Sequence, residues 1–235
     1  MNIFILLFSL LFFYKQIKCE KCKYYNQFAH IVYSVFVVGI SFVDFKKAAK
    51  LCCKGNPSKQ QYNAFVAAEH AGDISTKVEM AMFIAQVLHE SVCLKYKEEI
   101  GCKPASRCAR YENKFGDKSK VYFGRGYIQL TGRANYKAAS AALFPKDKNK
   151  LLKNPEQVAT DENVAWLTAF WYWKTRVHIL SGVRDGQFGR TTIGINGGEC
   201  KIANLRGRAI NRFNCYIKVL SALKMKEKAD PRGCY

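Results

Sequence analysis

The chain has 235 residues, 38 of them Lys or Arg and 18 Asp or Glu, for a formal net charge of +20. With 49% of residues apolar it can bury a full core, one domain being the default at this length, and it has no disordered-tail composition. The charge suits an anionic surface such as an acidic wall, but there is no arginine-rich block, zinc-finger spacing or RNA-binding signature, so a nucleic-acid role is excluded.

Residues 1–19 carry an apolar run from Asn2 to Tyr14, too short for a comfortable membrane span, then a polar stretch ending near Cys19. This predicts a secretory signal peptide, whose removal takes away only Lys15 and Lys18 and leaves +18. Export makes the ten cysteines disulfide formers rather than metal ligands. Cleavage at residue 19 leaves Cys22, Cys52, Cys53, Cys93, Cys102, Cys108, Cys200, Cys215 and Cys234, an odd set with at least one unpaired or intermolecular thiol. His30, His70, His89 and His178 are scattered, and none pairs with cysteine at zinc-site spacing.

Residues 20–39 form an N-terminal extension, and 28–43 is an apolar stretch shorter than the usual span of ~20, predicted as a buried first helix rather than an anchor. Short amphipathic helices are predicted from Asp44 to Leu51 and from Tyr62 to Ala71, separated by the breaker Gly55-Asn-Pro57-Ser. Thr76-Lys-Val-Glu79 fits a capping box that opens a longer helix to about Ser91. Val78, Ala81, Ala85 and Leu88 mark its buried side, while Glu79, Gln86 and Glu90 share another, which puts Glu90 in the last turn facing away from the core. Residues 94–126, rich in charge, Gly and aromatics, read as loop with short strands. Asn154-Pro through Asp161 caps a helix over 161–175, whose Trp166, Phe170 and Trp173 stripe reads as core rather than as a sugar platform. Asn196-Gly-Gly198 is a turn before a final helix from about Ile202 to Lys224.

Two acids stand out. Glu90 ends the long helix and Glu99 lies nine positions on, and opposed carboxyl groups are what glycosidic cleavage requires: one protonates the leaving oxygen, the other activates water or attacks carbon. Glu98 competes with Glu99 for the second role.

Several ordered segments then resemble glycoside hydrolase family 19, the lysozyme-like chitinases of plants, bacteria and some phage lysins. They are Ile40 to Phe45, Tyr62 to Ala68, Phe83 to Ser91, Gly124-Arg-Gly-Tyr-Ile-Gln-Leu-Thr131, Asn154 to Trp173 and Ile195-Asn-Gly-Gly198. The resemblance implies a mainly α (α+β, lysozyme-like) bilobal fold over residues 40–235, with a cleft and a small loop and strand region. It implies an endo-chitinase that inverts configuration, with Glu90 as general acid, Glu99 as general base and the two ~6.5–9.5 Å apart. Thr131 stands where the family has a water-holding serine, and it keeps the hydroxyl. Tyr122, Gln129, Asn135 and Asn196 match positions that contact the N-acetyl sugars. Glu199 and Arg208 resemble a charged pair supporting the acid, Arg212 competing with Arg208, and His89 is a neighbour rather than a proton carrier. Matching positions imply disulfides Cys102 to Cys108 and Cys200 to Cys234, and Cys93 to Cys52 or Cys53. Two departures are Val92-Cys93 in place of a Gly-Gly pair and Tyr127 in place of a proline common in plant members. With the short loop between the glutamates, Tyr127 leans toward the bacterial and phage branch and a shorter, more open cleft. The expectation is a secreted monomer acting on chitin or a related amino-sugar polysaccharide, without metal, organic cofactor, nucleic acid or membrane anchor. A peptidoglycan-cleaving lysin and a non-catalytic chitin-binding protein are the alternatives.

Overall fold

The computed structural model describes residues 38–102, 105–111 and 120–234. The predicted signal peptide, Cys22 and most of the apolar stretch 28–43 lie outside the described residues. Val38 to Tyr235 form one compact unit, and no helix among the described residues is long and apolar enough to cross a membrane.

Helix α1 (Phe42–Cys53) starts where Ser41 Oγ accepts from the Asp44 amide at 3.1 Å, so the predicted helix over 28–43 does not extend through Val38 to Ile40. α2 (Lys59–Ala68) opens with a complete capping box between Ser58 and Gln61. A 3₁₀ turn, Glu69–Ala71, follows it. In α3 (Lys77–Glu90) Thr76 caps the Glu79 amide, but the Glu79 carboxylate turns inward to Trp173 Nε1 at 2.8 Å and His178 Nδ1 at 2.7 Å. The box is therefore only half made. The expectation that the polar side of α3 faces outward is also overturned. Glu79 and Gln86 are as buried as Met80 and Phe83, so the helix is covered all round and its polar side chains are satisfied internally.

The centre of the core is aromatic. Phe83 stacks on Phe170 at 4.2 Å, Phe65 meets Trp166 edge-on at 5.2 Å, and Tyr127 lies 4.3 Å from Trp166. The Trp166, Phe170 and Trp173 stripe is thus core, as its spacing predicts. Phe83→Ala would remove about 3–5 kcal/mol of this packing. The stripe sits on α7 (Glu162–Tyr172), which Asp161 caps and which runs into a π turn, Trp173–Val177, in place of the predicted helix to 175.

Helices that the sequence left unassigned fill the rest. They are α4 (Arg133–Leu143), α5 (Lys150–Lys153), α6 (Gln157–Thr160), α8 (Phe188–Asn196) and α9 (Gly198–Lys201). Neither α4 nor α8 has a side-chain cap, the signal that would have announced it. The glycines inside α8 serve packing: a Cβ on Gly189 would fall 2.4 Å from Pro231 O. The final helix, α10 (Arg206–Ala222), follows a 3₁₀ turn at Ala203–Leu205 and packs against α1 and α3. The strands predicted within 94–126 reduce, among the described residues, to isolated bridges pairing Arg125 with Glu98 and with Leu130.

Disulfides join Cys52 to Cys215, Cys53 to Cys93, Cys102 to Cys108 and Cys200 to Cys234. The last two match the resemblance, and Cys93 takes Cys53. The first was not foreseen and ties α1 to α10.

Glu69 is buried, and its Oε1 has no hydrogen-bond partner among the described residues. Burial pushes its carboxyl up to about 7. The folded state therefore keeps a proton that the unfolded chain loses, so stability falls as pH rises from the usual carboxylate range through 7, by on the order of 3 kcal/mol. Glu69→Gln should raise Tm by several degrees at pH 8 and leave it nearly unchanged at pH 4.5, read by circular dichroism melts.

Candidate active site

Glu90 sits in the last turn of α3, with 16% of its side chain exposed at the edge of an open cleft. Its Oε1 accepts from Arg212 Nη2 at 2.6 Å. Arg212 comes from α10 and is itself buried. Its Nε donates to Glu199 Oε2 at 2.7 Å, its Nη2 to Glu199 Oε1 at 2.9 Å, and its Nη1 to Gln86 Oε1 at 2.8 Å. The partner of Glu199 is thus Arg212, and the expected pairing with Arg208 is corrected. Arg208 lies one turn earlier on α10, nearer its start, where the chain is exposed to the cleft.

One guanidinium facing two carboxylates cannot neutralise both. Burial, with the Glu199 charge in support, holds the Glu90 carboxyl above the usual carboxylate range, against the pull of Arg212 and Arg208. Burial, helped by the same two arginines, presses His89 down to about 4, so its imidazole is neutral at ordinary pH. That is a poor proton donor, in keeping with its place as a neighbour.

Beyond Glu90 the chain reverses abruptly. Val92, Cys93 and Leu94 have φ of 47°, 64° and 62°, three successive side-chain-bearing residues in the left-handed region. Each costs about 1–2 kcal/mol there. The turn is held by the disulfide from Cys93 to Cys53, by Ser91 Oγ between Val87 O and the Leu94 amide, and by Ser91 O accepting from the Lys95 and Tyr96 amides. It aims residues 95–101 back along the cleft.

Glu99 is fixed there at both ends. Its amide donates to Gly124 O at 2.8 Å, and its carboxylate accepts from the Gly124 amide at 3.1 Å, Tyr111 Oη at 3.2 Å and Arg110 Nη2 at 2.9 Å. Arg110 and Tyr111 carry no signal in the sequence. Glu98, the rival, also reaches the cleft, but its backbone pairs with Arg125. Cys102 and Cys108 lie close to Glu99, yet their sulfurs are joined to each other and offer no thiolate to a metal.

Gly124 is the meeting point. A Cβ there would stand 2.9 Å from Gln129 Oε1 and 3.2 Å from Thr131 Oγ1, so the absent side chain lets both groups come up beside the residue that holds Glu99. Thr131 Oγ1 donates to Gln129 O at 2.8 Å, leaving its lone pairs as acceptors. Asn135 Nδ2 donates to Thr131 O at 2.9 Å, and Asn196 Nδ2 to Glu199 Oε1 at 3.1 Å. Glu90, Glu99, Gln129, Thr131, Asn135 and Asn196 all line one cleft of about 690 Å³, a size that takes a small oligomer. Tyr96, Tyr111 and Tyr172, which no sequence motif singles out, line it too.

Tyr122 does not join them. Its ring is buried against Tyr136 at 5.3 Å and its hydroxyl donates to Leu152 O at 3.0 Å, so it packs the floor beneath the site instead of contacting sugar.

A helical domain with two carboxyl groups in one open cleft, one on a helix end and one on the loop that returns from it, has the architecture of lysozyme-like glycoside hydrolases. The chain belongs to glycoside hydrolase family 19, whose sequence model, described as chitinase class I, matches residues 46–196. An endochitinase of Arabidopsis thaliana is 38% identical over 190 residues, covering 75% of this chain and 61% of that protein. The crystal structure of a chitinase C mutant superposes with a TM-score of 0.65 at 25% identity, over 83% of this chain and 99% of that one. A family 19, class IV chitinase from Zea mays shares the fold with a TM-score of 0.62 at 24% identity, over 83% and 98% of the two chains. The chain spans 44–61% of the length of four Arabidopsis thaliana endochitinases that match it.

The Arg212 contacts make a direct stability prediction. Arg212→Met should cost about 3–5 kcal/mol in urea denaturation at pH 7, because it strands buried carboxylates. Adding Glu199→Leu should restore most of the loss.

Proposed function

We propose that this protein is an exported endo-chitinase that cleaves internal β-1,4 bonds between N-acetylglucosamine units by a single inverting displacement. The observation that carries the reading is the asymmetry of the two acids across the cleft. Glu90 is buried, with its carboxyl held above the usual carboxylate range, whereas the Glu99 carboxylate stands on the returning loop, fixed by hydrogen bonds from Arg110, Tyr111 and the Gly124 amide.

In the reaction, the Glu90 carboxylic acid gives its proton to the glycosidic oxygen as that bond to the anomeric carbon breaks. A water enters from the opposite face, donating one hydrogen to Glu99 and the other to the lone pair of Thr131 Oγ1, so that its own lone pair points at the anomeric carbon. Glu99 takes the proton as the new C–O bond forms, and solvent later resets both groups. Gln129, Asn135 and Asn196 present amides to the N-acetyl and hydroxyl groups of the chain. Residues 1–19 act as the export signal, residues 20–39 as an extension, and 40–235 as the catalytic domain. The disulfides support an oxidising compartment.

The test is hydrolysis of N-acetylglucosamine hexamer, with purified peptidoglycan as a second substrate. The expected result is internal cleavage of the hexamer and slower or no release from peptidoglycan, and an inactive wild-type protein would refute the proposal. Glu90→Gln should lower kcat by about 10²–10⁴ with an unchanged circular dichroism spectrum. For the wild type, kcat/KM should fall as pH rises through the elevated Glu90 value, because the acid must carry its proton.

A further inference from the structure

Gln86 lies one helical turn before Glu90 on α3, has no exposed surface and does not reach the cleft. Its Nε2 donates to Thr191 Oγ1 at 2.8 Å and to Thr192 Oγ1 at 3.0 Å, while its Oε1 accepts from Arg212 Nη1 at 2.8 Å. The amide has only one workable orientation. Thr191 Oγ1 gives its own proton to Phe188 O at 2.7 Å and can only accept from Gln86, so the carbonyl end must face the guanidinium. Spacing of i and i+4 on one helix then places the Gln86 carbonyl and the Glu90 carboxyl as two fixed acceptors for one arginine.

We propose that Gln86 is a positioning residue that sets how strongly the Arg212 charge bears on Glu90, and that Thr191 and Thr192 lock it in that role. The inference rests on the assignment of Glu90 as general acid. The Gln86 carbonyl offsets part of the guanidinium charge at Nη1, as Glu199 does at Nε and Nη2. Less offset leaves more positive charge facing Glu90; more offset leaves less. The other charged or titratable groups around Glu90 are His89 on its own helix, Arg208 on α10, Glu199 on α9, Tyr172 on α7, and Glu98 and Glu99 across the cleft. Arg212 Nη1 donates to the Gln86 carbonyl, so removing that carbonyl acts on the guanidinium through this contact, whereas a carboxylate at position 86 adds its own charge one turn from Glu90 as well.

The test uses Gln86→Met, of similar shape without the carbonyl, and Gln86→Glu, which adds a negative charge. Two readouts are taken: the basic limb of kcat/KM against pH on N-acetylglucosamine hexamer, and the Glu90 titration by NMR of ¹³C-carboxyl-labelled glutamate, assigned by its loss in Glu90→Gln. Gln86→Met should move both to lower pH, and Gln86→Glu should move both to higher pH, each by about half a unit or more. For Gln86→Met, kcat should fall about tenfold, the scale of one lost hydrogen bond to a charged group, with KM within about twofold. Thr192→Val, which keeps the volume, should shift the titration in the same direction as Gln86→Met by a smaller amount. Equal or same-direction shifts in the two Gln86 variants, or an unmoved Glu90 titration in all three, would overturn the inference. Opposite NMR shifts in a wild-type background that cleaves nothing would leave the inference standing and refute the hydrolase reading instead.

Discussion

One buried cation, the Arg212 guanidinium, organises the site. It arrives on the last helix, yet its hydrogen-bond partners lie on α3 and α9, so the C-terminal third of the chain must be in place before Glu90 has its environment. An isolated buried arginine would cost several kcal/mol, and here its hydrogen bonds to Glu90, Gln86 and Glu199 go to acceptors fixed by other elements. Burial, with the Glu199 charge in support, holds the Glu90 carboxyl above the usual carboxylate range against the pull of the guanidinium. With no arginine there, the buried Glu199 carboxylate would be stranded.

The opposite wall is built differently. Glu99 gains its position from backbone pairing with Gly124 and from a sharp turn of left-handed residues clamped by a disulfide. Glycine would take those angles without strain, so the Val92-Cys93-Leu94 sequence trades local comfort for a side chain facing the cleft and a covalent anchor to α1. The two walls thus draw on separate supports: a buried polar network behind Glu90, and a cross-linked loop beneath Glu99.

Much of this was legible in the sequence. The aromatic stripe of α7, the extent of α3 and the placing of Glu90 in its final turn follow from caps and from helical spacing. Gln129, Thr131, Asn135 and Asn196 do share the cleft with Glu90 and Glu99. What could not be read has physical causes. Arg208 and Arg212 are a turn apart on one helix, and the 3₁₀ turn at Ala203–Leu205 shifts the phase between them and Glu199, so spacing alone cannot choose the buried one. Tyr122 alternates into the core within a segment too irregular for a period to show. α4 and α8 have no capping side chain, and the Cys52 to Cys215 link spans 163 positions, beyond any local signal. The burial of the polar side of α3 is not legible because Glu79 and Gln86 look like solvent-facing residues until Trp173, His178, Thr191 and Thr192 supply their partners.

The proposed division of labour, with Glu90 as proton donor and Glu99 as base, has one direct stereochemical consequence, since water and leaving group must occupy opposite faces of the anomeric carbon. Proton NMR of N-acetylglucosamine hexamer in the first minutes of cleavage, before mutarotation, reads it. New reducing ends in the α form follow from the single displacement, and new ends in the β form would contradict it.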